Sequence, residues 1–232
     1  MKLAHPDMHF VMDVDEDVFP VLVLERSDLY VRYIDQLDRQ AEGEDGPFVL
    51  SENWEPMAVG KYVLVLTDLF HIDLNGRKQT AALYKQLNTL AVSERHHVET
   101  LALQSSIQRW IIGLENDLPY ATIHNHEADM GAILKAAGIR FDDGDASIVE
   151  KLCTYIKICA AYLKTRLLVI AGLHDCLTPD DLRAVYQTAL YEKLPLMSIE
   201  RHAPDEAQPC ENIYIIDRDL CEIYNDSDTD TL

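Results

Sequence analysis

The chain has 232 residues, 48% of them hydrophobic, with 40 acidic against 20 basic side chains and a net charge of −20, enough to bury one sizeable core alone or with a smaller appendage. No apolar run approaches the roughly 18–20 residues that cross a bilayer, and the opening MKLAHPDMHF lacks a signal peptide's apolar core, so a cytoplasmic location without membrane contact is expected. Cys153, Cys159, Cys176, Cys210 and Cys221 show neither C-x-x-C spacing nor a dense framework, which argues against a disulfide scaffold.

Phe19 to Glu25 predicts a strand entered at Pro20, then a helix capped by Ser27 and running to Gln40 with Val31, Ile34 and Leu37 inward. Gly43 to Pro47 breaks this pattern. Phe48 to Leu50 predicts a short strand, and Tyr62 to Leu66 is an apolar run of the kind a strand shows when helices cover both faces. At Asn75-Gly76 the pattern turns helical: Leu83, Leu87 and Leu90 share a face, as do Leu103, Ile107, Trp110, Ile111 and Leu114 after a restart at Ser93. Pro119 stops that run, and a shorter helix capped by His124 or Asn125 carries Met130, Ile133, Leu134 and Ala137 before Gly138 closes it. A short strand is expected at Ile139 to Phe141.

Asp145 is expected to cap a helix carrying Ile148, Leu152, Tyr155, Ile156, Cys159 and Leu163, which leads to a strand at Leu167 to Ala171. Thr178 then caps a helix with Pro179 at its first position and Asp181 near the positive end of the dipole, and Leu182, Val185, Tyr186 and Leu190 form its apolar stripe. Pro195 opens a further strand at Leu196 to Ile199. A crossover of this length implies parallel strands. Ile213 to Ile216 is the last strand, and Asn225 to Leu232 reads as a frayed acidic tail. The fold class is therefore α/β: a mostly parallel sheet domain from residues 1–74 and 144–232, with an antiparallel helical arm, residues 75–143, inserted between them.

Sheets of this design usually hold nucleotide phosphates on G-x-x-x-x-G-K-S/T or G-x-G-x-x-G at a helix N-terminus, and neither pattern occurs in the sequence. Gly60-Lys61 is followed by Tyr62 and reads as a lysine at a strand entrance. His174, Asp175 and Cys176 lie at a strand end, where an enzyme's site is conceivable, but no third orienting group or oxyanion hole accompanies them. Asp13-Val14-Asp15-Glu16-Asp17 lacks the glycine and glutamate of a calcium loop and reads as a solvated acidic edge; separately, the chain's acidic surface as a whole leaves open a protein-only scaffold that meets a basic partner. His124 and His126 are two apart rather than four, so capping is their expected role, not zinc binding. Lys78 and Lys85 are seven apart on one predicted helix, and Lys157 and Lys164 repeat that spacing on another. Such rows either track phosphates or form ordinary solvated faces. Arg77, Lys135, Arg140 and Lys151 are further candidates of the same kind.

The order of elements and the strings VLVLERSDLYVRYIDQL, KYVLVLTDLFHIDLNG, AILKAAGI, RLLVIAGLHDCLTPDDLRAVY, PLMSIERH and NIYIID, spread between Val21 and Tyr224, resemble the type II-A CRISPR-associated Csn-two family. The resemblance implies a nucleotide-hydrolase-like α/β head without a phosphate loop, a helical leg, and no catalytic activity. It further implies a homotetrameric ring that encircles the ends of linear double-stranded DNA and acts in spacer acquisition with the CRISPR integrase and the RNA-guided effector nuclease. Calcium bound near the legs is expected to stabilise the ring. Glu115, Asp117, Glu127 and Asp129 are the acids this chain offers there, and six to eight oxygens require backbone carbonyls and water besides.

Overall fold

The computed structural model describes residues 1–125 and 129–224. The chain divides into two compact units, Met1–Leu74 with Asp143–Leu232, and Asn75–Asp142. In chain order the first unit begins with β1 (Lys2–Ala4), β2 (Met12–Asp13), β3 (Phe19–Leu24), α1 (Ser27–Ala41), β4 (Val49–Glu52), β5 (Glu55–Met57), α2 (Val59–Tyr62) and β6 (Val63–Leu66). The second unit holds α3 (Arg77–Ala91), α4 (His97–Asn116) and α5 (Met130–Ala136). The chain then returns through α6 (Ile148–Tyr162), β7 (Leu167–Ala171), α7 (Leu173–Cys176), α8 (Pro179–Glu192), β8 (Leu196–Glu200), β9 (Glu211–Ile216) and β10 (Glu222–Tyr224).

Among the described residues the large sheet has the order β10-β9-β3-β8-β7-β6. Its strands are parallel except β10, which pairs antiparallel with β9. β3 is buried at every position, as a central strand covered on both faces must be. Side chains alternate across it: Leu22 and Leu24 join Val169, Met197, Ile199, Tyr214 and Ile216 in a core shared with Leu29, Tyr33 and Leu37 of α1. Phe19 points the other way and meets the Tyr186 ring of α8 at 5.1 Å. α6 packs against α8, burying Leu152, Ile156 and Cys159. Each fully buried Leu, Ile or Val contributes roughly 1.5–3 kcal/mol, so these two layers account for much of the unit's stability.

Of a small antiparallel sheet, β2-β1-β4-β5, only β4 was foreseen, as the short strand expected at Phe48 to Leu50. Its other strands are two or three residues long, too short for period-two patterning to register. Leu3, Met12 and Leu50 point from its inner face into the same core as α1.

Several local expectations are corrected. α1 buries Leu29, Tyr33, Leu37 and Ala41, while Val31 is 63% exposed, because the i, i+4 stripe starts two residues earlier than expected. α6 is capped by Ser147 rather than Asp145: the Ser147 hydroxyl accepts from the Glu150 amide while Glu150 accepts from the Ser147 amide, a reciprocal capping box. Asp129 caps α5, accepting from the Gly131 and Ala132 amides. Ile139–Phe141 forms no strand. Instead the Asn75 side chain pairs with Phe141 as a neighbouring backbone would, donating to its carbonyl at 3.0 Å and accepting from its amide at 2.8 Å. Tyr62 closes α2 rather than opening β6. Thr178 caps α8 as predicted. The tail from Asn225 lies outside the described residues. Among those described, no helix is long and apolar enough to cross a membrane.

Candidate nucleic-acid interface

The two units differ sharply in charge. Asn75–Asp142 carries seven acids and seven bases, so the whole excess of −20 falls on the other unit. Within the helical unit a groove of about 930 Å³ runs along α3 and is bounded by α5. Arg77, Thr80, Ala81, Tyr84, Lys85, Asn88, Thr89 and Val92 line it from α3, and Lys135 from α5. Those α3 positions repeat at intervals of three and four, the signature of one helical face. No acid is among them.

Packing fixes this face. The Tyr84 hydroxyl donates to the Ile139 carbonyl at 2.9 Å, and with the Asn75–Phe141 pair it holds the stretch carrying Arg140 along α3. Gly131 lets α5 close on α3, since a Cβ there would stand 3.1 Å from the Asn88 side-chain nitrogen. Arg77, Lys85, Lys135 and Arg140 are all exposed. Lys78, also exposed, does not line the groove, so Arg77 rather than Lys78 is the partner of Lys85 there. Tyr84 and Asn88 were missed by the sequence reading. Their signal was the seven-residue and eleven-residue spacing from Arg77, which a search confined to charges passes over.

In the α/β unit, Lys151 and Lys157 lie on α6 but Lys164 does not. Leu163 takes an extended backbone with φ −100° and ψ 160°, ending the helix, so the expected lysine row is broken. Lys164 belongs instead to a basic group with Lys61 and Arg166. The hydrogen-bonded Lys61 ammonium lowers the Tyr62 hydroxyl below the usual phenol range, and the charges of Lys164 and Arg166 act in the same direction. The Arg166 amide also donates to the Tyr62 carbonyl at 2.7 Å, which places this group where β6 and β7 begin.

Two of the four acids proposed for a metal, Glu115 and Asp129, have carboxylates engaged otherwise. Glu115 accepts from Thr122 at 2.8 Å and from His124 at 2.9 Å, one oxygen each, and these bonds hold its pKa below the usual carboxylate range. Asp129 is the α5 cap and Asp117 the C-cap of α4, while Glu127 lies outside the described residues. Among the described residues no group of three or more His, Cys, Asp or Glu is disposed to hold a metal ion.

At the strand ends, His174 is clamped between two buried carboxylates. Its Nδ1 is 2.9 Å from Glu200 and its Nε2 2.7 Å from Glu211, whose other contacts are the Tyr186 hydroxyl at 2.6 Å and the Gln208 amide at 2.7 Å. Burial opposes the imidazolium, but the hydrogen bonds to Glu200 and Glu211 outweigh it and raise His174 to about 9. Burial and the Glu211 carboxylate push the Tyr186 hydroxyl far above the phenol range. Burial, with Asp175, Glu200 and Asp68, also raises the Cys176 thiol. With both imidazole nitrogens engaged and the thiol held protonated, His174 and Cys176 do not form a nucleophile–base pair. The adjoining cavity of about 560 Å³ is lined by Asp175, Asp205 and Glu206 beside His174 and His202, and by no lysine or arginine.

A mostly parallel α/β unit without a phosphate loop, interrupted by a charge-balanced helical unit, is the class of protein these features define. The family model described as CRISPR-associated protein (Cas_Csn2) matches residues 40–220, and the chain belongs to that family. No curated protein matches the sequence. A solved structure described as an ABC transporter ATP-binding protein from Pyrococcus furiosus aligns at 10% identity over 92% of this chain and 97% of its own, with a TM-score of 0.41, a likeness too slight to bear on fold or function.

Proposed function

We propose that this CRISPR-associated chain is a non-catalytic subunit of spacer acquisition that assembles into a homotetrameric ring and holds the ends of linear double-stranded DNA through phosphates, without base preference. The observation that carries this reading is the acid-free groove on α3, which gathers Arg77, Lys85 and Lys135 in a chain with twice as many acids as bases. Phosphate contacts need such a local excess of positive charge and no particular side-chain pattern. Assembly is supported by α4, a 20-residue helix that buries none of its residues and leaves Val98, Leu101, Leu103, Trp110, Ile112 and Leu114 exposed. The absence of a glycine-rich phosphate loop and the engagement of His174 favour a binder over a hydrolase.

Integrase and RNA-guided effector nuclease are the partners proposed, and calcium is proposed as a structural ion whose shell draws on more than one copy. Fluorescence anisotropy with a linear duplex and a covalently closed circle tests the central claim. The linear form should bind, with affinity falling steeply as salt rises. Arg77→Glu with Lys85→Glu and Lys135→Glu should weaken binding by at least about tenfold and flatten the salt dependence by up to about three units per bound copy. Equal affinity of the triple variant and the parent overturns the choice of groove; no affinity for linear duplex overturns the function. Chelation with EGTA should lower the sedimentation coefficient, and an unchanged coefficient removes calcium from the reading.

A further inference from the structure

The outer face of the small sheet is exposed and apolar at its centre. Register places Ala4 opposite Val49 and Lys2 opposite Ser51, so these side chains share the face turned away from Leu3 and Leu50. Val11 is 46% exposed, Val49 51% and Trp54 93%. Together with Ala4 they line a groove of about 520 Å³ whose rim includes Asp13 and Glu52.

The turn that presents Trp54 is unusual. Glu52 pairs with Glu55 across a two-residue hairpin loop, and both loop residues are left-handed, Asn53 at φ 52° and Trp54 at φ 68°. Asparagine suits the first position, but glycine is the residue that adopts the second without strain. The chain accepts a strained backbone to hold an indole in water.

Acids outnumber bases around the groove, where Lys2 and the Met1 ammonium are the cations of its lining. Residues 11–17 contain four acids and no base, and residues 44–57 again contain four acids and no base. Lys2 is committed to Asp13 at 3.4 Å and Arg166 to Glu52. Asp15, Glu16, Asp17 and Glu55 are exposed. Such a rim repels nucleic acid and anionic lipid, and a second copy docked through the same face would set like charges against each other. Strand addition is blunted as well, because edge strand β5 carries Pro56, which has no amide hydrogen, and β2 is two residues long.

We propose that this face is a docking surface for a basic segment of a partner protein, in which one or two apolar side chains, flanked by lysine or arginine, enter the groove under Trp54. The indole supplies apolar area and a cation–π surface, and the carboxylates meet the flanking cations. The surface belongs to the α/β unit and shares no residue with the α3 groove, and the proposal does not rest on duplex binding.

Fluorescence anisotropy with a labelled peptide, Leu-Val flanked on each side by a lysine triplet, provides the test, with a counterpart carrying glutamate triplets as control. The lysine peptide should bind at least about tenfold more tightly than the glutamate peptide, and Trp54→Gly should weaken it about tenfold. Glycine relaxes the φ 68° position, so this variant keeps its fold, and a melting temperature equal to or above the parent's verifies that. Asp15→Asn with Glu16→Gln and Asp17→Asn should weaken the lysine peptide mainly at low salt. Equal affinity for the two peptides, or for Trp54→Gly and parent, overturns the proposal. A changed sedimentation coefficient of Trp54→Gly alone also overturns it, by marking the face as a contact between copies. Duplex binding by Trp54→Gly should stay at the parent level, so either reading can fail without the other.

Discussion

α6 and α4 are both long amphipathic helices, yet α6, at 15 residues, buries Leu152, Tyr155, Ile156, Ile158 and Cys159, while α4, at 20 residues, buries nothing. α6 lies against α8 and begins with a capping box. α4 begins at His96 with no side-chain cap, and its Trp110 is 65% exposed. The same kind of sequence pattern thus has two outcomes: in the α/β unit it closes a core, and on α4 it leaves apolar side chains exposed. The charge partition follows this division, with the negative excess confined to the unit that is already packed.

If the α/β unit is self-sufficient, its tightest interior contact should dominate stability. Substituting His174→Gln strands two buried carboxylates, Glu200 and Glu211, without their shared cation. Breaking a buried pair in this way costs about 3–5 kcal/mol, and at this chain length each kcal/mol lowers the melting temperature by about 2–4 °C. Calorimetry should therefore show a fall of about 10 °C. A fall of less than about 2 °C would mean that the clamp contributes little and that packing alone holds β8 and β9.

The same contact predicts a pH profile. His174 is raised from 6.5 to about 9, so its contribution is complete below pH 6.5 and is lost as pH rises through 9. Glu211 is lowered because its hydrogen bonds to His174 and Tyr186 outweigh the opposing effect of burial, so its share is present above the ordinary 4.5 and lost on acidification. Stability from the cluster should peak between about pH 5 and 6.5 and decline by about 3 kcal/mol on the alkaline side. Denaturant titrations at several pH values check this, and His174→Gln should flatten the alkaline limb. An alkaline limb that survives in the variant assigns the titration to another group.

Legibility in the sequence followed the length of each signal. β3, β7, β8 and the Thr178-capped α8 could be read because short runs dominated by buried apolar residues, or a cap followed by Pro179, leave few alternatives. The small sheet beyond β4 could not, and neither could the clamp: Glu200 and Glu211 are far from His174 in sequence and become its partners only when β8 and β9 flank β3. Lys85 was visible as a charge, but its grouping with Arg77 and Lys135 depended on how α5 folds back on α3. Lys164 was misplaced because a helical period was extended past Leu163, where the backbone had already turned extended.

The smallest expected effect on folding separates the two helices most cleanly. Trp110→Ala removes a side chain that one chain leaves 65% exposed, so its cost to the chain's own stability should stay within about 0.5 kcal/mol, as for surface positions without a structural partner. By contrast Ile156→Ala on α6, fully buried, should cost about 2–5 kcal/mol. If α4 is the face that a second copy covers, Trp110→Ala should lower the sedimentation coefficient at micromolar concentration while leaving the denaturation midpoint of the dissociated chain in place, because the indole's area is buried only on assembly. A Trp110→Ala protein with the parent's sedimentation but a melting temperature lowered as far as that of Ile156→Ala would reverse the comparison. It would place Trp110 in a folding core and remove α4 as the ground for self-assembly.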